Sequence, residues 1–148
     1  MTIWFDMDGT IADLYGVNGW LDDIIAERTR PYDEARTLVN MSLLARLLHQ
    51  AQKNGYKIGI ISWTAKNGRP AYNLAVEMAK RAWLMKHLPS VKWDEIRIVR
   101  YGTNKWETCK NGILFDDEEC NRNNWENDAA YTPEKIIEIL KMLLTNAA

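Results

Sequence analysis

Residues Thr2 to Thr10 read TIWFDMDGT: a short β-forming run, two aspartates separated by one residue, then glycine and threonine. The run Thr2 to Phe5 is almost wholly apolar, as expected of a strand buried on both faces of a parallel sheet. Polarity begins abruptly at Asp6, so Asp6 and Asp8 are expected at the carboxyl end of that strand. In open α/β sheets ligands bind beyond those ends. The stretch therefore predicts both a fold and the rim on which to look for function.

Working outward, three more segments read as strands. Ile113 to Phe115 and Lys57 to Ser62 (KIGIIS) resemble the first, whereas Glu95 to Arg100 (EIRIVR) alternates and is expected nearer a sheet edge. Helical spacing places Leu38, Met41, Leu44, Leu48 and Ala51 on one face of a helix over Tyr32 to Asn54, ended by Gly55. A second helix is expected over Arg69 to His87, with Pro70 in its first turn and Pro89 beyond it. A third starts at Thr132-Pro133-Glu134, where Thr132 is expected to cap free amides. This alternation predicts an α/β fold, a Rossmann-like three-layer sandwich around a mainly parallel sheet.

The chain of 148 residues is the length of one ordinary domain. A single domain over 1–148 is expected, with a short flap at about 11–31 containing a helix around Trp20 to Arg28. Nineteen basic against twenty acidic residues leave a formal net charge of -1, so bulk charge gives nucleic-acid binding no support. Cys109 and Cys120 match no zinc spacing and form no disulfide framework. With no apolar run of membrane-spanning length and no signal-like N-terminus, a cytoplasmic location and no membrane partner are expected. Trp4 and Trp83 are expected in the core, and His49 and His87 at the surface.

The residues that follow each strand form a chemical set. Asp6 and Asp8 follow the first, Ser62 and Thr64 end the second, Lys105 lies after the third, and Asp116 and Asp117 with Glu118 and Glu119 follow the fourth. Carboxylates brought together repel unless a cation neutralises them. Oxygen ligands without His or Cys favour a hard ion, Mg²⁺ rather than zinc. A hydroxyl and an ammonium beside that ion suit a phosphate. A carboxylate can attack phosphorus as a nucleophile, and a second can move protons to the leaving group and from water.

These motifs resemble those of the haloacid dehalogenase superfamily: DMDGT at Asp6 to Thr10, IIS at Ile60 to Ser62, Lys105 within GTNKWE, and ILFDDEE at Ile113 to Glu119, in family order. The resemblance spans residues 2 to about 120. It implies a phosphatase with Asp6 as nucleophile and metal ligand, and Asp8 as general acid and base whose backbone carbonyl also reaches the metal. Ser62 would bind the transferring phosphoryl group, Lys105 would neutralise Asp6 and the phosphate, and Asp116 with Asp117 would complete the Mg²⁺ site.

Two assignments keep rivals. Thr64 replaces Ser62 if the strand ends later, and Lys110 lies close to Lys105. The short flap leaves an open site, fit for a large substrate or for a small one covered by a neighbouring subunit, as in a homo-oligomer. Similarity to small nucleotidase-like members points to a phosphorylated small molecule such as a nucleotide. The alternatives are a polynucleotide end phosphatase, with Arg28, Arg30, Lys66 and Arg69 as a basic strip, and a non-catalytic phosphate-binding regulatory module. Trp20 and Trp63 are expected near the mouth, where they pack or stack on a base.

Overall fold

The computed structural model describes residues 1–146. Its centre is a five-stranded sheet built from β1 (Thr2–Phe5), β4 (Lys57–Trp63), β5 (Glu95–Val99), β6 (Ile113–Phe115) and β7 (Ala129–Tyr131). The order is β5-β4-β1-β6-β7 and every pairing is parallel. The chain leaves β1 for β4 on one side and later returns to place β6 on the other. The loops after β1 therefore diverge from those beside it and open a crevice above its carboxyl end.

Between β1 and β4 run a two-residue ladder of β2 (Ala12–Asp13) with β3 (Arg36–Thr37), the short helices α1 (Trp20–Ile25) and α2 (Arg30–Glu34), and α3 (Met41–Lys53). The long helix thus begins at Met41, not at Tyr32. Asn40 is extended and its side chain accepts from the Leu43 amide at 3.1 Å, a cap that the apolar spacing upstream concealed. Leu38 is exposed and lies outside the helix, while Tyr32 is buried in α2 against α4 (Pro70–His87).

Side-chain alternation along the strands feeds two cores. Ile3, Phe5, Ile58, Ile60, Ile113 and Phe115 pack with Leu44 and Leu48 of α3, Trp83 and Leu84 of α4, and Ile139 and Leu140 of α7 (Ile136–Asn146). On the other face Trp4, Ile61 and Leu114 pack with Cys109 and Trp125, and with Trp106 of the one-turn α5 (Lys105–Thr108). The second cover is thin and largely aromatic: the indole nitrogens of Trp4 and Trp125 donate to the carbonyls of Asn111 and Gly112. Cys109 and Cys120 are both free. No helix among the described residues is long and apolar enough to cross a membrane.

Two local details depart from the sequence reading. The strand β7, absent from it, is three residues of modest β-propensity held by pairing with β6. One turn of 3-10 helix, Pro133–Lys135, precedes α7, and the Thr132 hydroxyl donates to Glu134 at 2.7 Å instead of capping amides.

The start of α3 is testable. Asn40→Ala is expected to cost about 1 kcal/mol, and Leu38→Ala no more than about 0.5 kcal/mol. Urea denaturation of the two variants checks this order, which a helix beginning at Tyr32 would reverse.

Candidate active site

The carboxyl end of β1 is tied into the sheet by the Asp6 amide, which donates to Phe115 O at 2.9 Å. The chain then turns around Met7, whose carbonyl accepts from the amides of Thr10, Ile11 and Ala12. Gly9 makes that turn possible. Its φ is +77°, and a Cβ there would lie 2.2 Å from Asp117 Oδ2. The DxDG spacing thus brings Asp6 close to the acidic loop after β6.

Asp6 is buried, and both its oxygens are engaged. Oδ2 accepts from the Thr10 hydroxyl at 3.0 Å and Oδ1 from Lys105 Nζ at 2.9 Å. Lys105 opens α5, is 1% exposed, and also donates to Asp116 Oδ2 at 2.6 Å. The ring centroid of Trp63 lies 5.1 Å from its ammonium. Burial opposes that charge, but Asp6 and Asp116 outweigh it and raise Lys105 to about 12. Lys110 is exposed, so Lys105 is the one of the two that reaches the carboxylates.

Asp116 is fully buried and held from several sides. Asn121 Nδ2 of α6 (Glu119–Asn123) donates to Oδ2, and the Glu118 amide donates to Oδ1. Asp117 differs: its Oδ1 is buried without a hydrogen-bond partner. Asp6, Asp116 and Asp117 each offer one oxygen, all within 4.8 Å of one another. Burial, then the Asp6 charge, pushes both Asp116 and Asp117 above the ordinary carboxylate value. An all-oxygen donor set with one orphaned oxygen fits a hard divalent cation.

Asp8 points elsewhere. Its Oδ2 accepts from Lys80 Nζ at 2.7 Å, while 18% of its side-chain surface stays open. Burial raises its pKa and the Lys80 charge pulls it back. Lys80 also donates to Ser62 Oγ at 2.8 Å and to the Trp63 carbonyl at 2.6 Å. Ser62 is fully buried and accepts from that ammonium, whereas Thr64 lines the cavity above the site with a buried, unpartnered Oγ1.

That cavity encloses about 620 Å³. Asp6, Asp8, Lys105 and Asp117 line it together with Tyr15, Trp20, Ile24, Trp63 and Tyr101. Tyr15 and Trp20 meet edge to face, and Trp63 leans on Tyr101. Of the four residues of the anticipated basic strip, Arg28 and Arg30 both pair with Asp23, and Arg69 pairs with Glu27.

Lys80 escaped the sequence reading although a signal was there. It falls on the buried stripe of α4 with Tyr72, Val76 and Leu84 at four-residue spacing. A lysine on an apolar face needs a buried partner.

Neither a scan of protein-family models nor a search of curated proteins finds a match to this sequence. The structure, in contrast, superposes on the crystal structure of D,D-heptose 1,7-bisphosphate phosphatase from Burkholderia thailandensis with a TM-score of 0.59. The match covers 97% of this chain and 98% of that one at 12% sequence identity. The chain shares the α/β fold of that protein. At that identity the likeness speaks for architecture alone.

The raised Asp117 fixes a sign. In metal-free solution the folded state keeps a proton that the unfolded chain gives up above the ordinary value of 3.8, so this group's contribution to stability falls as pH rises from there toward neutrality. The Lys105 shift acts only above 10.5, outside that window. Asp117→Asn is therefore expected to gain stability relative to wild type between about pH 4 and 7 in EDTA. A saturating divalent cation should reverse the advantage by stabilising the wild type more than the variant, which lacks one of the three carboxylates. Urea midpoints across pH check both.

Proposed function

We propose that the protein is a magnesium-dependent phosphomonoester hydrolase working through an aspartyl-phosphate on Asp6. The observation that carries this is a buried Asp6, held between Lys105 and Thr10, at the floor of a cavity that a second carboxylate, Asp8, also lines. Asp6, Asp116 and Asp117 would hold the cation, with the Asp8 carbonyl as a further ligand. When bound, Mg²⁺ supplies positive charge to the phosphoryl oxygens.

A carboxylate oxygen of Asp6 forms a bond to phosphorus as the bond to the leaving oxygen breaks. Asp8 gives that oxygen a proton from Oδ1, the atom Lys80 leaves free. Asp8, now ionised, takes a proton from water. The water oxygen attacks phosphorus, the bond to Asp6 breaks, and phosphate leaves. Lys105 fixes Asp6 throughout and faces the charge gathering on the phosphoryl group. Thr64 is the better placed of the two hydroxyls to bind that group, because it lines the cavity whereas Ser62 is fully buried and does not.

The cavity supports a small substrate with a flat or apolar leaving group, such as a nucleotide. Its volume is that of a small-ligand pocket, and Tyr15, Trp20, Trp63 and Tyr101 offer ring faces to a base. Charge argues against the polynucleotide reading and against a second phosphate such as the heptose bisphosphate carries. Both need free cations beside the cavity, but of the four basic-strip residues only Lys66 and Arg69 line it, and Arg69 is paired with Glu27.

Asp6→Asn is expected to abolish phosphate release from nucleoside monophosphates, and EDTA to do the same to wild type. Asp8→Asn should slow release by a factor on the order of a hundred or more. Near-wild-type activity in Asp6→Asn would remove Asp6 as nucleophile, and 5′-phosphorylated oligonucleotides outpacing mononucleotides would favour the polynucleotide reading. If no phosphate ester releases phosphate, a non-catalytic phosphate-binding module of the same fold is favoured.

A further inference from the structure

Lys80 is 1% exposed and reaches the site from the middle of α4. Its ammonium makes three short contacts: Asp8 Oδ2 at 2.7 Å, Ser62 Oγ at 2.8 Å and Trp63 O at 2.6 Å. The ring of Tyr32, from α2 in the flap, lies with its centroid 5.4 Å from Nζ. One cation thus joins the loop after β1, the end of β4, the helix after it and the flap. All three ammonium hydrogens have acceptors, so Lys80 has none left to donate to a ligand. It is also absent from the cavity lining that contains Asp8. Its geometry is that of a group acting through a neighbour.

We propose that Lys80 is a positioning residue for proton transfer by Asp8. By fixing Oδ2 it sets the carboxyl plane and leaves Oδ1 directed to the leaving oxygen. It also keeps Asp8 from swinging toward the carboxylates around Asp6, which Lys105 serves. The two lysines divide the work: Lys105 binds Asp6 and Asp116, and Lys80 binds Asp8. This inference rests on the phosphohydrolase reading and on Asp8 as proton donor. A general acid matters in proportion to how badly the leaving group needs a proton, so Lys80 should carry the same signature.

The test compares kcat/KM for p-nitrophenyl phosphate, whose leaving group departs unprotonated, and for a nucleoside 5′-monophosphate, whose alkoxide does not. Lys80→Met is expected to lower the nucleotide value on the order of a hundredfold and the nitrophenyl value only about few-fold. In an Asp8→Asn background Lys80→Met should have little further effect, because the two act as one unit. Lys80→Gln, which can still donate to Oδ2, should restore part of the nucleotide activity. It also carries the comparison if circular dichroism shows Lys80→Met unfolded, since removing one partner of a buried pair is strongly destabilising. Equal losses on the two esters, or losses that multiply with Asp8→Asn, would make Lys80 a scaffold residue only and overturn the proposal. A wild type inactive on every phosphate ester would instead sink the phosphohydrolase reading on which it stands.

Discussion

Four carboxylates, Asp6, Asp8, Asp116 and Asp117, gather above the ends of β1 and β6, and the cost of holding that negative charge out of water governs the rest of the structure. Two buried ammonium groups oppose it. Lys105 lies between Asp6 and Asp116, and Lys80 faces Asp8. Neither lysine is tolerable alone in such a place, and neither are the acids. Four ionised carboxylates against two ammoniums leave two negative charges, and the uncompensated share falls on Asp117, whose Oδ1 has no partner and whose pKa rises. A proton answers that deficit in part, and a divalent cation answers it in full. The same imbalance that makes the metal-free site uncomfortable suits it to a divalent cation.

The sheet exists to deliver those groups. Asp6, Thr64 and Asp116 follow three adjacent parallel strands, so the side chains that meet come from segments more than fifty residues apart. Parallel pairing brings the strand ends to one rim, and the turn at Gly9 closes the remaining gap to Asp117. The helices carry less uniform duties. On one face α3, α4 and α7 form a conventional apolar cover, whereas on the other the bulky Trp4, Trp106 and Trp125 substitute for helix length. The single-turn α5 on that face carries Lys105 at its start, where it reaches Asp6.

Much of this was legible in the sequence where a strand is a buried apolar run and its polar successor is chemistry. The strand β1, the acidic loop after β6 and Lys105 were all visible in that way. What escaped had a common cause: its character comes from a partner distant in sequence. The strand β7 is a strand because β6 lies beside it, not because Ala129, Ala130 and Tyr131 prefer to be one. The apolar spacing through Leu38 imitated helix until Asn40 imposed a cap. The contact between Ser62 and Lys80 was hidden for the same reason, since nothing near Ser62 in sequence reveals the ammonium that donates to it.

Lys80 shows how such a blind spot can be narrowed. On α4 the positions Tyr72, Val76, Lys80 and Leu84 form one buried row, and a charge in that row is a contradiction only if the helix packs on hydrocarbon alone. Taken as a constraint, it requires an anionic or carbonyl-rich surface opposite, and the strand order allows that surface to be the carboxyl ends of β1 and β4. The helix that packs on α2 through Tyr32 and Tyr72 therefore also reaches Asp8.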